Sequence, residues 1–160
     1  MKNSNGESQI TSLLLQIAEV KVIYQSKLPY IQHPRVNNST DAEKIFRANW
    51  SDDMELVEEF NVLFLNRANY VKGIFRLSRG GLTGTVADPR ILYATALKSL
   101  SVGVIAGHNH PSGSMNPSSQ DIELTRKLKE IGRFHEITLI DHLILSPLSG
   151  FYSFADEGML

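Results

Sequence analysis

The most constraining feature of this chain lies between residues 108 and 121, where two histidines one position apart are followed by a polar loop and a carboxylate. The uncharged apolar run at residues 101–107 predicts a buried central strand just upstream. Because side chains alternate along a strand, His108 and His110 are expected to leave its carboxyl end on the same side. Residues 118–133, introduced by a proline, predict a helix.

The carboxylate at the start of this predicted helix belongs to an inward-facing stripe. One helical face carries Asp121, Leu124, Leu128 and Ile131. A carboxylate at the head of an apolar stripe is costly unless it is paired or binds a cation. Two imidazoles and one carboxylate favour a zinc site, and three protein ligands with a position left for water are typical of catalytic zinc. Ser118 and Asp121 also fit a capping box, which can operate alongside a metal site.

The residues HNHPSG at 108–113, followed by PSSQD at 117–121, resemble the JAMM signature of JAB/MPN-domain metalloproteins. The HNHPSG form is similar to that of the RadC-like proteins of bacteria. The resemblance covers roughly residues 20–160 and implies a single JAB/MPN domain, in which helices flank a mixed β-sheet in a layered architecture like that of cytidine deaminases. Further supporting segments are residues 58–60, 80–86, 88–90, 139–142 and 152–154.

Patterns along the rest of the chain alternate between strand and helix. Thr40 or Asp41 is predicted to cap one helix, and Asp88 followed by Pro89 to begin another. The predicted strands lie at residues 19–25, 60–66, 70–77, 136–145 and 151–154. The second and third of these form a predicted hairpin. This order of elements independently predicts a layered α/β domain with a mixed sheet.

The resemblance also implies roles for individual residues. His108, His110 and Asp121 would bind Zn²⁺, and Glu58, which fits the Glu-x-Phe form of RadC-like sequences, would be the general base and then the general acid. Ser118 would help to polarise the scissile carbonyl. The local sequence alone leaves the acid open, because Glu59 and Glu55 lie at the same strand entrance. His142 is interpreted as a hydrogen-bonded core or rim histidine and not as a ligand.

Composition excludes several classes of protein. The 160-residue chain has no cysteine, so it cannot form a disulfide or supply the Cys zinc ligands that nucleobase deaminases need. Its formal net charge of −1 gives no support for direct nucleic-acid binding. The apolar stretch at residues 10–20 is too short to span a bilayer and lacks a signal-peptide pattern, so a cytoplasmic protein without a membrane segment is expected. Residues 1–17 are expected to be flexible and residues 18–160 to form the domain.

The combined expectation is a zinc metallopeptidase that hydrolyses peptide or isopeptide bonds with a metal-activated water, acting on a peptide or protein substrate. The alternative is a non-catalytic zinc-containing module that works through partners in DNA repair or recombination, since RadC-like proteins carry a DNA-repair name. A helix-hairpin-helix domain of the kind that often precedes theirs is not expected in this sequence, which weakens the expectation of direct DNA binding.

Overall fold

The centre of the structure is one mixed β-sheet. A computed structural model describes residues 23–26, 29–81, 86–148 and 150–160 of the chain. The five strands among these residues are β1 (Glu59–Leu65), β2 (Val71–Arg79), β3 (Gly103–Asn109), β4 (Thr138–Leu145) and β5 (Phe151–Ser153). The helices that pack on the sheet are α1 (Ser39–Asn49), α2 (Pro89–Lys98) and α3 (Ser119–Phe134), and a single 3₁₀ turn spans Tyr30–Gln32.

The strands lie in the order β2-β1-β3-β4-β5. The pairs β1/β2, β1/β3 and β4/β5 are antiparallel, whereas β3 and β4 are parallel. A parallel pair needs a crossover connection, and α3 provides it. The predicted class is therefore confirmed: one α/β domain with a mixed sheet flanked by helices.

Hydrophobic cores cover both faces of the sheet. On one face, α2 and α3 contribute Leu92, Tyr93 and Leu128, which pack against the even-numbered residues of β1 that begin with Phe60. On the other face, Phe46 of α1 packs against the odd-numbered residues of β1, β3 and β4. Strands β1 and β3 are buried at every position, as expected for central strands covered on both sides.

Several boundaries differ from the predicted ones. Strand β3 runs two residues further than predicted, to Asn109, because Phe60 and His108 are still paired in the β1–β3 register. The N-cap of α1 is Asn38, so the predicted caps Thr40 and Asp41 are wrong; Asn38 Oδ1 accepts a hydrogen bond from the Asp41 N–H at 2.9 Å. The predicted cap Asp88 is confirmed, since its side chain accepts from the Arg90 N–H.

Other predictions fall partly or wholly outside the described residues. These are the flexible segment at 1–17, the domain boundary after residue 17 and most of the predicted strand at 19–25. Residues 23–26 are described and contain no strand. Within the described parts of the chain, no helix is both long and apolar enough to cross a membrane.

Candidate metal centre

Two imidazole rings meet at the carboxyl end of β3. His108 lies within the strand and His110 directly follows it, and their Nε2 atoms are 3.0 Å apart. Gly113 turns the chain back at this point: its N–H donates to the His110 carbonyl at 2.9 Å, and its φ of +79° lies in the region that favours glycine. The His110 Nδ1–H donates to the Ser114 carbonyl at 2.8 Å, so the Nε2 atom of the neutral ring carries the lone pair.

Asp121 brings a carboxylate to the same point from the first turn of α3. Its Oδ1 lies 3.2 Å from His108 Nε2, and its Oδ2 lies 3.7 Å from His110 Nε2. The ligand atoms of the three residues all lie within 4.8 Å of one another, so the group could hold a metal ion. Two nitrogens and one carboxylate oxygen are a donor set that suits zinc and several other divalent ions.

The charges of this group fit a cation site. Burial acts to raise the pKa of Asp121, but the His108 and His110 imidazoles beside it, together with the Ser118 hydroxyl, outweigh that effect and hold the pKa well below its usual range. The Asp121 carboxylate in turn favours the protonated form of His110 and raises its pKa, and the charge of Glu58 contributes in the same direction. The carboxylate is therefore ionised at neutral pH, with two imidazole nitrogens beside it.

The structure distinguishes the neighbouring acids Glu58 and Glu59. Phe60 lies on the face of the sheet that carries His108, where the two rings stack with centroids 5.9 Å apart. Glu58 directly precedes β1, and its backbone carbonyl accepts from the Gly80 N–H at 2.8 Å. Continued alternation predicts that its side chain shares this face, and its charge acts on His110. Glu59 is buried on the opposite face, where its Oε2 accepts from Ser51 Oγ at 2.8 Å.

Ser118 forms a complete capping box with Asp121. The Ser118 hydroxyl donates to Asp121 Oδ2 at 2.6 Å and accepts from the Asp121 N–H at 3.2 Å, while the Ser118 N–H donates to Oδ2 at 2.7 Å. The sequence allowed Asp121 to be a metal ligand or a member of a capping box. The two roles are compatible, because one carboxylate both caps the helix and faces the histidines.

Asn109, the residue between the two histidines, has a role that sequence reasoning missed. Its Oδ1 accepts from the Glu59 N–H at 2.7 Å, and its Nδ2 donates to the carbonyls of Met54 and Val57 at 2.6 and 2.9 Å. The side chain therefore ties the segment that carries Glu58 to the strand that carries His108. The available signal in the sequence was an asparagine shortly after an apolar strand pattern, and its full burial explains why each of its polar atoms is hydrogen-bonded.

His142 lies behind the first histidine, in agreement with its interpretation as a buried, hydrogen-bonded residue. Its Nε2 is 2.9 Å from His108 Nδ1, and its Nδ1 is 2.6 Å from Thr125 Oγ1. Burial holds the pKa of His142 well below its usual value, so the ring is neutral at physiological pH. Sequence reasoning did not identify Thr125 at all.

Fold and site together define a class of protein: an α/β domain with a mixed sheet, in which two histidines at a strand end and an aspartate at the next helix form a group that could hold a metal. The RadC-like JAB domain family matches residues 36–159. The chain therefore belongs to the RadC-like JAB domain family, and the resemblance found in the sequence is confirmed.

Curated relatives support this assignment. A UPF0758 protein of Flavobacterium johnsoniae is 44% identical over 102 residues, which are 64% of this chain and 44% of that protein. A UPF0758 protein of Porphyromonas gingivalis is 37% identical over 136 residues, covering 84% of this chain and 60% of the relative. A UPF0758 protein of Symbiobacterium thermophilum is 39% identical over 104 residues, which are 65% of this chain and 44% of that protein. The chain thus spans about half the length of the curated relatives it matches.

Proposed function

We propose that this domain is a zinc-dependent hydrolase of peptide or isopeptide bonds. The observation that carries the proposal is the convergence of His108, His110 and Asp121 into a group that could hold a metal ion. The charge of Glu58, which acts on His110, supports it. His108 is buried, whereas the side chains of His110 and Asp121 retain 16% and 14% of their exposure. A substrate would therefore approach from the side of His110 and Asp121.

His108 and His110 would hold the ion through Nε2 and Asp121 through its carboxylate. When bound, zinc lowers the pKa of a water molecule and polarises a carbonyl group. The remaining tasks in amide hydrolysis belong to side chains of this domain: a proton must be removed from the attacking water and given to the departing amine.

Glu58 is the proposed carrier of that proton. Alternation along the chain predicts that its side chain shares the histidine face. It is half-buried and belongs to a segment held by Asn109. As a carboxylate it accepts the proton from the attacking water, and as a carboxylic acid it returns the proton to the leaving nitrogen. A positioned acid-base group of this kind contributes on the order of 10²–10⁴ in rate.

Ser118 is the proposed donor to the oxyanion that forms from the scissile carbonyl. A hydroxyl has one proton, and in this structure the Ser118 proton is donated to Asp121. The role therefore requires the proton to turn from the carboxylate to the substrate as negative charge develops there.

Metal content and hydrolysis together test the proposal. Elemental analysis of the purified chain, after exposure to zinc, should give about one zinc ion per chain, with a sharp loss in Asp121→Asn. Libraries of peptides and isopeptide-linked substrates should be cleaved by the wild-type chain. Glu58→Gln should retain zinc and lose cleavage, whereas Glu55→Gln, which changes an exposed acid of the same segment, should retain both.

Absence of zinc in the wild-type chain, or cleavage by Glu58→Gln at the wild-type rate, would overturn the proposal. Normal zinc binding without cleavage of any library member would favour the alternative, a non-catalytic module that acts through partners in DNA repair or recombination.

A further inference from the structure

A chain of hydrogen bonds runs behind the candidate metal centre, from one proposed ligand to another. It begins at His108 Nδ1, which is 2.9 Å from His142 Nε2. It continues from His142 Nδ1 to Thr125 Oγ1 at 2.6 Å, and Thr125 Oγ1 donates to the backbone carbonyl of Asp121 at 2.6 Å. The chain therefore joins the ligand on β3 to the ligand on α3 through β4.

The last acceptor in this chain, the backbone carbonyl of Asp121, determines where each proton lies. A carbonyl oxygen can only accept, so the Thr125 hydroxyl proton points to Asp121 and the Thr125 oxygen must accept from His142 Nδ1–H. The neutral ring of His142 then has its lone pair on Nε2, which accepts from His108 Nδ1–H. His108 Nε2 is consequently left without a proton, at the position that faces His110 and Asp121.

Packing holds the two rings in this arrangement. Phe60 stacks on His108 with an interplanar angle of 5°, and Phe154 stacks on His142 with an angle of 10° and centroids 4.9 Å apart. Both histidines and Thr125 are buried. A ring flip would break the hydrogen bonds without replacement by water, which is costly in a buried site.

We propose that His142 and Thr125 are positioning residues for the metal ligand His108. They hold a proton on its Nδ1 and thereby direct the Nε2 lone pair to the ion, and they keep α3 in register with β3. The inference rests on the proposed metal site. A threonine hydroxyl that bonds to the carbonyl four residues earlier is common in helices. Here the same oxygen is also the acceptor for a buried imidazole.

The first test compares two substitutions of Thr125 in the full chain. Thr125→Val keeps the shape and removes the hydroxyl, whereas Thr125→Ser keeps the hydroxyl. The dissociation constant for zinc, measured by competition with a chromophoric chelator, should rise about 10–100-fold in Thr125→Val. It should stay within about two-fold of wild type in Thr125→Ser, because the relay is intact. Wild-type affinity in a folded Thr125→Val chain, or an equal loss in both variants, would overturn the inference.

The second test needs no substitution. Long-range ¹H–¹⁵N correlation spectra of the zinc-loaded wild-type chain should show His108 and His142 each protonated at Nδ1 and not at Nε2. A proton on His142 Nε2 would overturn the inference. If the wild-type chain binds no zinc, the proposed function and this inference both fail. If it binds zinc but the spectra or the Thr125 variants disagree, only the inference fails.

Discussion

Ser118 and Asp121 are joined in both directions: Ser118 Oγ donates to Asp121 Oδ2 at 2.6 Å and accepts from the Asp121 N–H at 3.2 Å. The other carboxylate oxygen of Asp121 lies 3.2 Å from His108 Nε2. The N-terminus of α3 and the candidate metal centre therefore share one carboxylate. A change at Ser118 must affect both the helix and the site.

Ser118→Ala is expected to lower both stability and zinc affinity. Loss of the cap should reduce the free energy of unfolding by about 0.5–2 kcal/mol. Zinc binding should weaken because Asp121 loses the hydroxyl that orients it. The matched control is Asn38→Ala, which removes the N-cap of α1 on the other face of the sheet. Urea unfolding and zinc competition should show similar destabilisation in both variants but weaker zinc binding in Ser118→Ala alone. Equal zinc affinities would contradict this prediction.

Glu59→Gln is expected to leave hydrolysis within a few-fold of wild type. The amide oxygen can still accept from Ser51. The contact with Arg79 at 3.9 Å involves a largely exposed guanidinium, so its loss should change the stability of the domain little. Glu58→Gln should lower turnover by about 10²–10⁴-fold at unchanged zinc content. Turnover numbers for both variants, normalised to bound zinc, check the assignment. A large loss of turnover in Glu59→Gln with little loss in Glu58→Gln would instead assign the proton transfer to Glu59.

Asn109→Ala is expected to reduce turnover more than zinc affinity. The substitution leaves the buried Glu59 N–H without its acceptor, which should cost about 1–3 kcal/mol of stability. It also releases the segment that carries Glu58, while His108 remains on β3 and His110 directly after it. Turnover per bound zinc, measured on the same preparation as the zinc titration, should fall. Asn109→Asp separates the contacts, because it retains the acceptor for Glu59 but loses the donors to Met54 and Val57. Unchanged turnover in both variants would show that Asn109 does not position Glu58.

The burial of Tyr93 predicts that the free energy of unfolding falls in alkaline solution. Its hydroxyl is buried and donates to the Leu128 carbonyl at 2.6 Å, and burial raises the pKa of Tyr93 to about 12. An unfolded tyrosine ionises near pH 10, so between about pH 10 and 12 the unfolded state loses a proton that the folded state keeps. The free energy of unfolding should therefore fall as pH rises through this range. Tyr93→Phe should show a flatter profile in denaturant titrations between pH 9 and 11.5. An equally steep profile in the variant would assign the loss to other groups.

Much of the fold could be predicted because its signals are local. The uncharged run before His108, the Asp88-Pro89 helix start and the phase of Asp121 with Leu124 and Leu128 each depend on neighbouring residues. The cap of α1 shows where local signals are degenerate. Four consecutive residues, NNST at 37–40, are all acceptable caps, and the structure uses Asn38, whose side chain accepts from the Asp41 N–H.

The features that sequence could not supply depend on contacts between distant segments. Alternation predicts that Glu58 and Glu59 lie on opposite faces, but only the pairing of Phe60 with His108 shows which face is that of the histidines. The contacts of Asn109 and of the His142–Thr125 pair likewise join strands and a helix that are far apart in the chain. No local pattern specifies such partners.

The β1–β3 register also has a consequence for the order of folding. The proposed acid directly precedes β1, whereas His108 belongs to β3 and His110 follows it. Asn109 joins the two segments through its hydrogen bond with the Glu59 N–H. The complete arrangement exists only after these strands, distant in sequence, have found their correct pairing. In small zinc domains the ion itself drives the chain to fold. Because this site likewise exists only in the folded chain, zinc binding would add to the free energy of unfolding and favour the correct pairing of β1 with β3.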